Sequence, residues 1–166
     1  MKKLENDTKE FINNRDFESN DPYHYGFNVF LHESALHENK YSEEELKMIY
    51  ETRKILEDDS IQVTATCVRV PVMRTHSISL NIEFEKNYNF AEAYEIIKKS
   101  SNVNIIDDFQ KNQFATPKTA TNKATTFCSR IRQDLSKKNS LEMWIVGDQL
   151  LKGAALNALQ IAEKLL

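Results

Sequence analysis

The hydrophobic positions switch between helical and alternating spacing several times along the chain. Residues 4–12 suit a short helix, and Asn13-Asn14-Arg15-Asp16 and Ser19-Asn20-Asp21-Pro22 then supply turn chemistry, so the first 20 residues are expected to form an N-terminal helical arm. Residues 25–31 are apolar and aromatic enough for a short strand. Ser42 is a good N-cap, Glu45 three residues later completes a capping box, and Leu46, Ile49 and Ile55 recur at helical spacing, which predicts a helix over 43–56. Val and Thr enrichment predicts a strand over 61–72, stopped at Pro71, which cannot donate to a ladder; Met73-Arg74-Thr75 is then a turn or bulge. From His76 to Phe84 the residues alternate, with Ile78, Leu80, Ile82 and Phe84 on one side and Ser77, Ser79, Asn81 and Glu83 on the other, the pattern of a half-buried strand. A helix over 90–99 capped by Asn89 and strands at 103–106, 126–132 and 141–146 follow. The chain closes on an amphipathic helix over 149–166, in which Leu150, Ala154, Asn157, Ile161 and Leu165 recur at three and four residues.

Consecutive strands with helices between and after them, in no regular alternation, point to the α+β class: an antiparallel or mixed sheet covered by helices. The 166 residues make one ordinary domain, long enough to bury a core, and contain no internal repeat or low-complexity tract.

Composition narrows the function classes. Hydrophobic residues at 40%, charged residues at 28% and a net charge of -3 describe a globular chain, and Lys and Arg occur as scattered pairs such as Lys98-Lys99 rather than as a phosphate-tracking stripe. No nucleic-acid partner is expected. The N-terminus turns acidic at once and no segment has the apolar length of a membrane span, so a cytoplasmic protein without membrane contact is expected. Cys67 and Cys128, the two cysteines, stand alone in apolar strand-like contexts, and His24, His32, His37 and His76 form no ligand pair at helical spacing; no metal site is expected. Gly26, Gly147 and Gly153 lie too far apart to build a phosphate-cradling loop, so the chain has no dinucleotide fingerprint of its own.

Candidate chemistry concentrates in 66–77. Arg69 sits inside an apolar strand, where a guanidinium that cannot lose its proton needs an anion, either an internal carboxylate or an external ligand. His76 opens the next strand as either a structural histidine or an acid/base group. On one unbroken strand the two would face opposite sides, but the break at Pro71 removes that constraint. Glu44 and Lys47, three apart on the capped helix, can pair on one face, which ordinarily means a solvated ion pair.

Five motifs in order carry a resemblance. Tyr41-Ser42-Glu43-Glu44-Glu45-Leu46-Lys47-Met48, Glu51-Thr52-Arg53-Lys54-Ile55-Leu56, the 66–77 run, Arg130-Ile131-Arg132-Gln133-Asp134 and Gly147-Asp148-Gln149-Leu150-Leu151-Lys152-Gly153-Ala154-Ala155-Leu156-Asn157-Ala158 resemble the C-terminal catalytic and dimerisation half of bacterial aspartate-semialdehyde dehydrogenases. Similarity reaches back to Leu4-Glu5-Asn6-Asp7-Thr8 and Phe27-Asn28. The resemblance implies a domain like the C-terminal domain of glyceraldehyde-3-phosphate dehydrogenase, running over 1–166 with a C-terminal helix over 148–166, a homodimer, and an enzyme that uses NADP. The implied reaction reduces and dephosphorylates aspartyl phosphate to aspartate semialdehyde, releasing phosphate, on the way to lysine, threonine and methionine. By motif position it implies His76 as acid/base, Arg69 as the grip on the substrate carboxylate, Glu44 and Lys47 at the substrate and phosphate subsite, and Gln149 as a contact to NADP.

The family's nucleotide-binding domain and its cysteine nucleophile, in an Asn-Cys setting, precede everything seen here, and Cys67 belongs to the arginine strand instead. Other departures are Ser129 for a usual Gly, Gly26 for a usual Ala, and a glycine-poor Thr119-Ala120-Thr121-Asn122-Lys123 loop. Two expectations follow. The chain is either a partial enzyme whose site is completed by a separate nucleotide-binding domain, inactive alone, or a catalytically silent paralogue that acts as a dimerisation module.

Overall fold

The computed structural model describes residues 1–14 and 21–166, which cluster into two compact units, Met1–Met73 and Arg74–Leu166. The turns expected around Arg15-Asp16 and Ser19-Asn20 lie outside the described residues.

In the first unit the expected arm is helix α1 (Lys2–Asn13), which buries Leu4 and Asp7. Its fastening is polar: the Tyr25 amide donates to Asp7 Oδ2 at 2.7 Å, and Lys3 Nζ donates to Asp21 Oδ2 at 3.0 Å. Gly26 permits the approach, since a Cβ there would stand 2.8 Å from the Asp7 carbonyl oxygen. The strand expected over 25–31 contracts to β1 (Phe30–Leu31), because Phe27 turns left-handed at φ 55° and interrupts the extended backbone. Helix α2 (Glu43–Leu56) has the predicted bounds and capping box: the Glu45 amide donates to Ser42 Oγ at 3.3 Å and the Ser42 amide to Glu45 Oε2 at 2.9 Å. Of the strand expected over 61–72 only β2 (Val68–Arg69) forms, antiparallel to β1 with Phe30 opposite Arg69. A ladder can be no longer than its partner, and β1 offers two residues.

The second unit is built on a four-stranded sheet in the order β3-β8-β7-β4, from β3 (His76–Glu83), β4 (Val103–Ile105), β7 (Thr126–Gln133) and β8 (Ser140–Gly147). β8 runs antiparallel to both neighbours while β4 runs parallel to β7, so the sheet is mixed. One face carries Leu80, Ile82, Leu141, Met143, Cys128 and Ile131 against Phe90, Tyr94 and Ile97 of α3 (Phe90–Lys99), whose N-terminus the Asn89 side chain caps. On the other face Phe127, Val146 and Trp144 pack with Ala115 and Ala120, and the Trp144 indole donates to the Ala115 carbonyl at 3.0 Å. The β5 (Asp107–Asp108) and β6 (Gln113–Phe114) hairpin and the one-turn helix α4 (Pro117–Ala120) form the segment between β4 and β7; neither is foreseen by the sequence.

Two polar side chains fix that cover. Ser129 is fully buried; its Oγ accepts the Ala115 amide at 2.7 Å and donates to the Ile106 carbonyl at 2.6 Å. Just beyond it β7 bulges, with Arg130 left-handed at φ 54°, and the Asp107 carboxylate takes the amides of Arg130 (2.8 Å) and Ile131 (3.1 Å) that the bulge frees. Serine at position 129 is therefore a fully paired link rather than an eroded glycine.

The single helix expected over 149–166 is broken. A π-turn (Leu151–Ala155) precedes α5 (Leu156–Leu165), and Ala154 is non-helical at φ −145°, ψ −113°. The amides of Leu151 and Gly153 both reach back to the Asp148 carbonyl, at 3.2 and 3.3 Å, winding this turn around one oxygen, and Gly153 adds a weak helix former at the break. The expected stripe is undocked: Ile161 is 54% and Leu165 82% exposed. Among the described residues no helix is long and apolar enough to cross a membrane.

Ser129→Ala leaves the Ala115 amide and the Ile106 carbonyl without their partner inside the cover, and is expected to lower unfolding free energy by about 1–3 kcal/mol. Urea denaturation followed by Trp144 fluorescence measures this, and an unchanged midpoint would remove Ser129 from the account of the cover.

Candidate functional site

The five candidate residues divide between the units: Glu44, Lys47 and Arg69 belong to the first, His76 and Gln149 to the second.

Arg69 ends β2, half-buried. Its Nε is enclosed with no hydrogen-bond partner, and no carboxylate among the described residues lies within ion-pair distance of it. The internal salt bridge left open by the sequence is not made among the described residues. Glu44 and Lys47 do pair, Nζ to Oε2 at 3.2 Å, and this hydrogen bond, with the Glu44 charge, raises the pKa of the exposed Lys47 ammonium. The Glu44 amide donates to Ser34 Oγ at 3.2 Å, tying the first turn of α2 to the preceding segment.

Cys67 precedes this pair of strand residues, and its environment is wrong for a nucleophile. Burial pushes the half-buried thiol up, the Glu45 and Glu44 carboxylates push further, and little thiolate remains at neutral pH. Burial does the same to Cys128 in the core. Glu45, which the sequence marks only as a cap, does more: its Oε1 accepts the Cys67 amide at 3.0 Å, so one buried carboxylate joins the head of α2 to the approach of β2. Donation from the Ser42 amide, then from the Cys67 amide, holds the Glu45 carboxyl below its ordinary range against the opposing effect of desolvation.

In the second unit His76 opens β3, exposed, opposite Gly147. The three residues before it form the expected turn. Thr75 is left-handed at φ 89°, unusual for a β-branched residue, and its buried hydroxyl has no partner. Its amide donates to Gln149 Oε1 at 2.7 Å. Arg74 Nε lies 2.9 Å from Asp148 Oδ2, a close charge contact rather than an aligned hydrogen bond.

Asp148 is the residue that sequence reasoning missed. Wholly buried, it also accepts the amides of Asn122 (2.7 Å) and Leu150 (3.0 Å) on its carboxylate. Burial drives its carboxyl up, but the Arg74 guanidinium and the two amides outweigh this and leave it below its ordinary range. Asn122 is itself left-handed at φ 62°, a conformation asparagine tolerates, so the glycine-poor loop keeps its turn. The one available signal was an acid directly after an apolar strand.

Asp7, Glu10 and His24 bring ligand atoms within 4.8 Å of one another, a grouping the sequence did not suggest. The Tyr25 amide and the Lys3 ammonium, 3.9 Å away, already serve Asp7, so the group reads as the fastening of α1.

The family model described as "Semialdehyde dehydrogenase, dimerisation domain" matches residues 1–152. The chain belongs to this family. It is 53% identical over 145 residues to the aspartate-semialdehyde dehydrogenase of Prochlorococcus marinus, covering 87% of this chain and 42% of that protein. It is 42% identical over 164 residues to the Aquifex aeolicus enzyme, covering 98% and 48%. The crystal structure of aspartate semialdehyde dehydrogenase II from Vibrio cholerae superposes with a TM-score of 0.88 at 31% identity, over 97% of this chain and 48% of that one. The chain thus spans less than half the length of these relatives, and matches their C-terminal part. An NADP complex from Candida albicans shares the fold with a TM-score of 0.60 at 16% identity.

Because the folded Glu45 carboxyl lies below its ordinary value of 4.5, its stabilising contribution is full above that pH and is lost as pH falls through the depressed value. Thermal unfolding from roughly pH 6 to pH 3 is expected to show a steep acid decline that Glu45→Gln, less stable at pH 6, makes shallower. Parallel curves for the two proteins would contradict this.

Proposed function

We propose that this chain supplies the acid/base and substrate-binding part of an NADP-dependent aspartate-semialdehyde dehydrogenase, the enzyme that reductively dephosphorylates aspartyl phosphate to aspartate semialdehyde. The observation that carries the reading is Arg69: an enclosed guanidinium nitrogen without a partner among the described residues is costly unless an anion arrives. A substrate carboxylate fits the planar fork, which can donate two parallel N–H bonds to it. Lys47 offers phosphate a point charge, and Glu44, already bonded to it, orients the ammonium. His76 stands exposed at the head of its strand, where an imidazole can exchange protons with a bound substrate.

Gln149 suits a peripheral cofactor contact. With Oε1 taken by the Thr75 amide, its Nε2 is left as a donor, and three scattered glycines give no phosphate loop, so most of the hold on NADP falls to a nucleotide-binding domain. Bound in its reduced form, NADPH, the cofactor would supply the hydride. The same domain would bring the thiol nucleophile, since Cys67 and Cys128 are both shifted away from thiolate. The reading places the protein in the cytoplasm, where free thiols persist, as a homodimer in the biosynthesis of lysine, threonine and methionine.

The test is co-expression with the nucleotide-binding half of the Aquifex aeolicus relative, following NADP reduction with aspartate semialdehyde and phosphate. The chain alone is expected to be inactive and the pair active, with His76→Asn lowering kcat by about 10²–10⁴-fold and Arg69→Lys raising KM by about tenfold or more. A stable but inactive pair, or turnover indifferent to both substitutions, would favour the silent dimerisation module instead.

Light scattering of the purified chain at micromolar concentration is expected to give twice the 19.3 kDa chain mass. A monomer mass alone would remove self-association from the proposal.

A further inference from the structure

Three consecutive residues leading into β3 are each gripped by a residue of one other short segment. Arg74 meets Asp148, the Thr75 amide donates to Gln149, and His76 pairs with Gly147 across the ladder. The middle residue is the costly one, with a β-branched side chain at φ 89° and a buried hydroxyl that has no hydrogen-bond partner among the described residues. Such a conformation persists only where its surroundings over-determine it. The grip is rigid because Asp148 has no exposure of its own and is held in turn by the amide of Asn122, on a further segment, and by that of Leu150, two residues along its own.

We infer that Asp148 is a positioning residue: acting through Arg74, it holds the strained 74–76 turn in one conformation and so fixes the direction in which His76 presents its imidazole. Arg74 needs a fixed anion to stay in place, and among the described residues Asp148 is the carboxylate within ion-pair reach of it. Without that anchor the bond to Gln149 Oε1 is the side-chain hydrogen bond among the described residues that still holds Thr75, and the turn can relax toward the φ < 0 basin that threonine prefers. A rotation at Thr75 would re-aim the following residue. The relevance of this to turnover rests on the acid/base reading of His76; the geometric effect does not.

The experiment uses the full chain with ¹³C-labelled histidine. Ring carbon resonances are assigned to His76 by their loss in His76→Asn, and ring-to-backbone NOEs report its orientation. Wild type is expected to show one sharp His76 set. Asp148→Asn keeps the size and the acceptor oxygen but removes the charge, and is expected to broaden or split the His76 set and weaken its NOEs while His24, His32 and His37 stay unchanged. Should that buried substitution fail to fold, Arg74→Gln breaks the same contact from a half-exposed side and is expected to do the same, whereas Arg74→Lys, which keeps the charge, restores most of the order. In the assembled enzyme the same variants are expected to lower kcat about tenfold or more with KM little changed, as a misaligned catalytic group does. A folded Asp148→Asn or Arg74→Gln chain whose His76 spectrum matches wild type overturns the inference. Wild-type assembly without turnover, alongside a disturbed His76 in the variants, leaves the positioning role standing and removes the catalytic reading instead.

Discussion

A wholly buried carboxylate holds the second unit together. Asp148 could not be carried into the interior as an anion without compensation, and it draws that compensation from the Arg74 guanidinium, from the Asn122 amide on another segment and from the Leu150 amide just beyond it. The loop around residue 122, the turn before β3 and the π-turn before α5 therefore share one anchor. Removing one partner would expose the others to an unbalanced charge, which makes the arrangement cooperative rather than a sum of separate contacts.

Glu45 does a similar service in the first unit, on a smaller scale. Its two oxygens join the head of α2 to the backbone before β2, so the helix that carries Glu44 and Lys47 and the strand that carries Arg69 are tied within one hydrogen-bond network. Glu44, Lys47 and Gln149 sit one or two positions from such a carboxylate, and Arg69 and His76 sit two positions from a residue that one of them holds, Cys67 and Arg74 respectively. Proximity in sequence passes that rigidity on to them.

Much of the fold was legible where the signal is local. The starts of α2 and α3 follow from Ser42 with Glu45 and from Asn89, caps that act within four residues, alternation located β3, and β7 and β8 form where strands were expected at 126–132 and 141–146. The β5–β6 hairpin and α4 are too short to show a period, the strand over 61–72 was overestimated because its length is set by a two-residue partner, and the break at Ala154 depends on a carbonyl six residues earlier. Arg69 and His76 stood out because a charge and an imidazole are unusual in apolar strands. Glu44, Lys47 and Gln149 were legible through family resemblance alone, since their spacing suits any solvated pair. Asp148 and Ser129 were illegible for a different reason: their partners lie at 74 and 122, and at 106 and 115, distances that no pattern in one sequence encodes.

The donors to these buried oxygens, and to those of the half-buried Asp107, are mostly main-chain amides, those of Ala115, Asn122, Arg130, Ile131 and Leu150. An amide is common to nineteen of the twenty amino acids, so these hydrogen bonds by themselves prescribe no side chain at the five positions; burial at Ala115 and Ile131 and the left-handed backbone at Asn122 and Arg130 are what restrict them. Proline, which has no such hydrogen, is the exception. Related sequences should therefore avoid that one residue at all five positions, whatever side chains packing and backbone conformation select there, a signature of main-chain recognition that side-chain conservation would never reveal.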